Sequence, residues 1–151
     1  MQTNLGRLAA PLLGVLLAAT SVVAHAQQTP ENLPGVKIVK ADDVQGALKS
    51  GIPVIDTRVA NEYAEEHIKG ARSVPYKEKS AKAADFDASK DSFDLAKLPA
   101  DKNAPVVFYC NAGECWKSYK ASVVAQRAGY RNISWFRGGM PEWKSSKLPV
   151  E

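Results

Sequence analysis

The amino-acid sequence predicts an α/β fold with a mainly parallel central sheet. Three observations carry that prediction. Strand-like and helix-like segments alternate along the chain after residue 36. Two strand candidates, residues 53–56 and 104–109, are continuous apolar runs, the pattern of strands buried on both faces. The length, 151 residues with 45% hydrophobic content, suits one hydrophobic core and not two.

Residues 1–26 read as a segment outside the fold. Arg7 precedes an apolar run from Leu8 to Ala19, and Ala24-His25-Ala26 offers a small-residue cleavage site before Gln27. This is the layout of a secretory signal peptide. The run is short for a membrane span and no basic cluster follows it, so no stable membrane anchor is expected after cleavage. The mature chain would keep His67 as its single histidine. Export, to the periplasm in a diderm bacterium, would put Cys110 and Cys115 where thiols tend to be oxidised.

Residues 27–36, with Pro30 and Pro34, read as an extended lead-in. A short strand at 37–39 follows, and Asp42 or Asp43 is expected to cap a helix running to about Lys49, stopped by Gly51. The 53–56 strand ends in Asp56, so its carboxyl end enters a loop. A short helix is expected over 59–66 and a brief strand over 71–75. Residues 77–104 lack glycine and are rich in Lys, Asp, Ala and Ser. They read as a helical excursion on the surface, in effect a solvated connector, with Phe86, Phe93, Leu95 and Leu98 available to pin it. The 104–109 strand runs straight into Cys110. A helix is expected from Lys117 to about Ala128, ended by Gly129, then a strand over 133–136. Gly138-Gly139 makes a turn, and Pro141 suits the first turn of a final helix carrying Trp143.

Composition excludes several classes. Ten Gly, nine Pro and two Cys rule out a collagen-like, low-complexity or disulfide-dense chain. A net charge of +4, spread along the chain, gives a nucleic-acid partner no support. Two Cys and one mature His fall short of the four ligands of a closed zinc site, so no metal is expected there; no cofactor is expected either.

The chemistry-bearing stretch is Cys110-Asn111-Ala112-Gly113-Glu114-Cys115-Trp116. A buried strand delivers a thiol to its carboxyl end, where open α/β sheets bind ligands. The helix that follows brings unpaired N–H groups and the positive end of its dipole. A loop curled round the sulfur adds its own amides as a nest for an anion. These effects favour thiolate, so Cys110 is expected to ionise below the free value of about 8.5 and to act as a nucleophile. Cys115 reads equally as a structural bridge partner and as a redox partner. A span of this length can bring two Cα atoms within the ~7 Å that a disulfide requires.

Val54-Ile55-Asp56-Thr57-Arg58, Glu62-Tyr63 and His67-Ile68-Lys69-Gly70-Ala71 resemble the opening signature of rhodanese domains. Val107-Phe108-Tyr109-Cys110 with Gly113 resembles their active-site strand and loop. Ala128-Gly129-Tyr130, Asn132-Ile133, Gly138-Gly139 and Trp143 resemble their closing signature. The order and spacing fit across roughly residues 37–145. The resemblance implies a three-layer sandwich and sulfur transfer. Cys110 matches the family's nucleophile, which takes sulfane sulfur from a donor such as thiosulfate, holds it as a persulfide and passes it to cyanide or a thiol. It implies that Asn111, Ala112, Gly113, Glu114, Trp116 and Lys117 surround the substrate, with main-chain amides of 111–116 cradling the persulfide. It implies that Asp56 and Arg58 organise loops, and that His67 is structural rather than a base.

One position departs from the family. Rhodaneses commonly carry Arg five residues after the nucleophile, and Cys115 stands there, beside the acidic Glu114. A dianionic donor loses an attraction and meets a repulsion, so weak thiosulfate turnover is expected. Cys115 can instead attack sulfur bound at Cys110, or resolve a dithiol–disulfide couple with a periplasmic redox partner. The Cys-x4-Cys-Trp arrangement also resembles a subgroup of secreted rhodanese-like proteins associated with quinoprotein alcohol oxidation. Three functions stay open on sequence: a sulfurtransferase acting on a small sulfur compound or a thiol protein, a thiol–disulfide redox protein, and a non-catalytic binding module with a locked loop. Phosphatase chemistry on this fold needs a loop one residue longer, closed by Arg; Trp116 stands there and excludes it.

Overall fold

The computed structural model describes residues 27–151; the expected signal peptide lies outside them. Five parallel strands form the sheet: β1 (Lys37–Ile38), β2 (Val54–Asp56), β3 (Arg72–Ser73), β4 (Val106–Tyr109) and β5 (Ile133–Phe136), in the order β1-β5-β4-β2-β3. Among the described residues four α-helices accompany them: α1 (Ala41–Lys49), α2 (Ala60–Glu65), α3 (Trp116–Arg127) and α4 (Gly139–Ser145). Among the described residues no helix is long and apolar enough to cross a membrane.

β4 is apolar throughout because both of its faces are covered. Val107 and Tyr109 pack with Val44, Met140 and Trp143 of α1 and α4. Val106 and Phe108 point the other way, into a cluster with Ala121 and Ala125 of α3. The central strand therefore lies between two helical layers, and every residue of it is buried.

Two local expectations change. α1 is preceded by Lys40, not by Asp42 or Asp43. The Asp43 carboxylate instead accepts the Lys40 N–H at 3.0 Å, and the Ala41 N–H is taken by Glu142 of α4 at 3.0 Å. Both aspartates lie in the first helical turn, where negative charge complements the dipole.

The 77–104 segment holds two short 3-10 turns, at Ala88–Lys90 and Leu95–Lys97, in place of an α-helical excursion. Nor is it merely solvated. Phe86, Leu98 and Ser80 are buried. Asp91 accepts hydrogen bonds from Tyr76 Oη (2.7 Å), the Lys79 and Ser80 amides (2.7 Å each) and Ser80 Oγ (2.6 Å). Lys120 of α3, fully buried, reaches Glu78 at 2.8 Å and Ser80 Oγ at 2.8 Å, and its ammonium stands 5.1 Å from the Phe86 ring centroid. A buried charge must be paired to be tolerated. The segment supplies the pairing and is held down by it.

Candidate active site

β4 delivers Cys110 to the carboxyl end of the sheet, 1% exposed. Its backbone is fixed from α4, where the Met140 N–H donates to the Cys110 carbonyl at 3.0 Å. Gly139, at φ +53°, makes that approach possible. A side chain there would be strained by the left-handed backbone and driven into the Cys110 carbonyl.

The loop then doubles back. Ala112 takes a left-handed φ of 41°, and the Cys115 N–H donates to the Ala112 carbonyl at 3.2 Å. Cys110 and Cys115 are joined by a disulfide, with Cα atoms 6.2 Å apart. Cys115 immediately precedes α3 as its N-cap and is partly exposed. Of the loop amides, that of Cys115 is thus spent on the turn. The amide that reaches Cys110 Sγ belongs to Ser118, in the first turn of α3, at 3.4 Å.

Ser118 was not a candidate from sequence, yet it is the side chain that best serves the sulfur. Its Oγ lies 3.0 Å from Cys110 Sγ and 2.9 Å from Trp135 Nε1. An indole N–H can only donate. The Ser118 oxygen therefore accepts from Trp135, and its own proton is free to point at the sulfur. The Cys115 carbonyl oxygen stands 3.2 Å from the same sulfur. A thiol formed there on reduction would have an acceptor for its proton, whereas a thiolate would feel that oxygen as an opposing dipole.

The other expected residues frame the loop. Asn111 Nδ2 donates to Glu62 Oε1 at 2.5 Å, tying the loop to α2. Glu114 is exposed and accepts from Gln28 Nε2 at 3.2 Å. Trp116 is buried against Tyr119 and donates through Nε1 to the Gln27 carbonyl at 2.8 Å. Lys117, partly exposed, lines a groove with Val59 and Pro75. The lead-in is itself part of this layer: the Thr29 amide and hydroxyl both donate to the Gly113 carbonyl, at 2.7 and 2.9 Å.

Arg137 is the second residue that sequence reasoning missed. It follows β5 directly, so the sheet carries it to the same edge as Cys110. Its Nε donates to Thr29 Oγ1 (3.2 Å) and the Pro30 carbonyl (3.1 Å), and Nη2 to the Thr29 carbonyl (2.9 Å). Gly113 packs so closely that an added Cβ would lie 2.7 Å from Arg137 Nη2. The available signal was positional: an Arg between the last strand and Gly138-Gly139.

Asp56 and Arg58 form a buried pair, Nη2 to Oδ2 at 2.7 Å, with Nε 3.1 Å from both oxygens. Tyr109 Oη donates to Asp56 at 2.7 Å and accepts the Ile68 N–H at 3.2 Å; Arg58 also reaches the Glu66 carbonyl at 2.7 Å. Burial first, then the Asp56 charge and hydrogen bond, raise the Tyr109 pKa, keeping it a neutral donor. The group joins β2, β4 and the α2–β3 connection. His67 stacks on Tyr63, at 3.7 Å between ring centroids, and its Nδ1 lies 2.8 Å from the Tyr63 carbonyl. Its Nε2 stands 3.4 Å from Glu151.

A match to the Rhodanese-like domain spans residues 40–146. The chain belongs to the rhodanese-like domain family. This rhodanese-like domain is 33% identical to Thiosulfate sulfurtransferase PspE of Escherichia coli over 79 residues, 52% of this chain and 62% of that one. It is 28% identical to an HTH-type transcriptional regulator of Mycobacterium tuberculosis over 140 residues, 93% of this chain and 52% of that one. It thus spans less than two thirds of the length of either curated relative. Among solved structures, a Bacillus halodurans protein shares the fold with a TM-score of 0.56 at 24% identity, over 76% of each chain. A thiosulfate sulfurtransferase from Pseudomonas aeruginosa does so with a TM-score of 0.56 at 20% identity, over 77% of this chain and 20% of that one. The rhodanese-like α/β sheet sandwich expected from the motifs is the fold observed.

Proposed function

We propose that this protein is a periplasmic, single-domain sulfurtransferase in which Cys110 takes sulfur from a sulfane donor as a persulfide and passes it to a thiol or cyanide. The observation that carries this reading is the meeting of three things at one sulfur: the end of β4, the Ser118 amide and hydroxyl, and the Cys115 side chain. The family and the PspE likeness support sulfur transfer as the chemistry.

In the first half-reaction the Cys110 thiolate attacks the sulfane sulfur of a donor. A new S–S bond forms at Cys110, the donor's own bond to that sulfur breaks, and the electron pair leaves on the donor's anion. Ser118 stabilises charge at Sγ in the resting thiolate, through charge-assisted hydrogen bonds. In the second half-reaction, cyanide or a thiolate takes the outer sulfur and returns Cys110 as thiolate. Alternatively the Cys115 thiolate attacks Cys110 Sγ, forms the disulfide seen here and expels hydrosulfide. That route leaves the protein oxidised by two electrons, so a thiol protein or a periplasmic redox partner must reset it. The exported location rests on the 1–26 segment. Cys115 and Glu114, in place of a loop arginine, favour a donor less anionic than thiosulfate. The second reading is a thiol–disulfide couple without sulfur transfer, and the Cys110–Cys115 bridge is the observation favouring it.

Intact mass spectrometry of the Cys115→Ser protein after exposure to a sulfane donor tests the first reading. One added sulfur on Cys110, lost on adding cyanide with formation of thiocyanate and absent in Cys110→Ser, is expected. A Cys115→Ser protein that never acquires sulfur, while the wild type cycles between dithiol and disulfide, would leave only the second reading.

A further inference from the structure

We infer that the Cys110–Cys115 disulfide is opened from one side: an incoming thiolate attacks Cys115 Sγ, and Cys110 Sγ is the leaving group. This deepens the second half of the proposed cycle, and rests on that reading only in taking the pair to be a working couple.

The two sulfurs of the bridge are not equivalent. Cys110 is 1% exposed, closed in by β4, α3 and α4; Cys115, at the loop–helix junction, is partly exposed. A nucleophile must contact the sulfur it attacks, so access favours Cys115. The departing sulfur must accept negative charge, and thiols of lower pKa leave faster. Cys110 Sγ has the Ser118 hydroxyl at 3.0 Å and the Ser118 amide at 3.4 Å; among the described residues no hydrogen-bond donor reaches Cys115 Sγ. The Cys115 carbonyl, 3.2 Å from Cys110 Sγ, opposes that charge. Against it stand the two Ser118 donors; the positive end of α3 acts on both sulfurs, since Cys115 is its N-cap, and does not select between them. Trp135 holds the Ser118 hydroxyl in the donating orientation. Access and leaving-group stability thus select the same direction.

The step balances. A thiolate RS⁻ bonds to Cys115 Sγ, the Sγ–Sγ bond breaks, and its electron pair leaves on Cys110. A second thiolate of the reductant then attacks the sulfur of R. RS–SR departs, and Cys115 leaves as thiolate and takes up a proton. The reductant, a dithiol or two monothiols, loses two electrons and the cysteine pair gains them. Cys110 is the first thiolate regenerated and is ready for a new donor while Cys115 is still occupied.

Cyanide reads the direction, because it leaves an S-cyano group on whichever sulfur it attacks. The oxidised, folded full chain is treated with cyanide in the presence of iodoacetamide, which caps the expelled thiolate, and the modified peptides are mapped by mass spectrometry. A urea-unfolded sample calibrates intrinsic reactivity. The expected result is S-cyano on Cys115 and alkylation on Cys110, in roughly tenfold excess over the reverse pattern, a ratio equal to about 1.36 kcal/mol between the two routes. Ser118→Ala is expected to slow opening several-fold with attack still at Cys115. S-cyano predominantly on Cys110, an equal split, or no reaction of the folded chain under conditions that cyanylate the unfolded one would each overturn the inference. So would a Ser118→Ala protein that opens as fast as the wild type. Failure of Cys115→Ser to acquire sulfur would remove the sulfurtransferase reading and leave this direction intact. A reversed S-cyano pattern would do the opposite.

Discussion

Ser118 Oγ stands 3.0 Å from Cys110 Sγ, with its proton freed for the sulfur by the indole of Trp135. A hydrogen bond to a charged group contributes about 1.5–3 kcal/mol, and about 1.36 kcal/mol is one pKa unit. In a Cys115→Ser background, Ser118→Ala should therefore raise the pH midpoint of Cys110 alkylation by about one unit or more. Ser118→Thr, which keeps the hydroxyl, should restore most of the difference. The background protein itself should show a midpoint below about 8.5. A midpoint at or above that value would mean that the helix amide and hydroxyl do not stabilise the thiolate.

Arg137 decides where the lead-in sits. Its guanidinium holds the Thr29 carbonyl and hydroxyl and the Pro30 carbonyl, and Thr29 in turn covers Gly113. Arg137→Ala should release residues 27–30 from the cysteine loop. Hydrogen exchange at the Thr29 amide, which donates to Gly113 at 2.7 Å, should then accelerate towards the rate of an unprotected peptide. Amides of β4 should keep their protection, since they lie within the sheet. Unchanged exchange at Thr29 would show that its bonds to Gly113 suffice alone.

Lys120 anchors the 77–104 segment from the opposite layer. Its ammonium is fully buried between Glu78, Ser80 and the face of Phe86. Removing one partner of a buried pair leaves the other charge uncompensated, typically at about 3–5 kcal/mol. Lys120→Met should destabilise the protein by that order in urea unfolding. Glu78→Gln combined with Lys120→Met should recover part of the loss. A cost under about 1 kcal/mol, the range of exposed pairs, would mean that water reaches the cluster.

Asp91 makes the same segment acid-sensitive. Burial alone would raise its pKa, but donors from Ser80, Lys79 and Tyr76 outweigh that and hold it at about 2, below the ordinary 3.8. A depressed carboxylate contributes stability that is fully present above 3.8 and is lost as pH falls towards about 2. Unfolding free energy, measured across that interval, should fall less steeply in Asp91→Asn than in the wild type.

Parts of this arrangement are legible from one chain of letters because they depend on what each segment does with water. Residues 104–109 are apolar at every position, the pattern of a strand covered on both faces, and they lead directly into Cys110. Gly51 and Gly129 follow the ends of α1 and α3 within two residues. The short span between Cys110 and Cys115 and the expected oxidising compartment allow a bridge, and the bridge is observed. Within 77–104, Phe86 and Leu98 pin the segment as expected, but its surface-like composition hides the polar anchors, because Tyr76 and Lys120, which hold Asp91 and Glu78, lie outside it.

What the sequence by itself determined is the order of buried strands and amphipathic helices, and the place of a thiol at the end of the central strand. These follow from hydrophobic periodicity and turn residues, which are local. Only the tertiary structure decided which polar groups meet: Ser118 with Cys110, Arg137 with Thr29, Lys120 with Glu78. A buried donor or charge is tolerated only where a partner from another element is brought within hydrogen-bonding distance. That partner is chosen by how the layers pack, not by its neighbours in the chain.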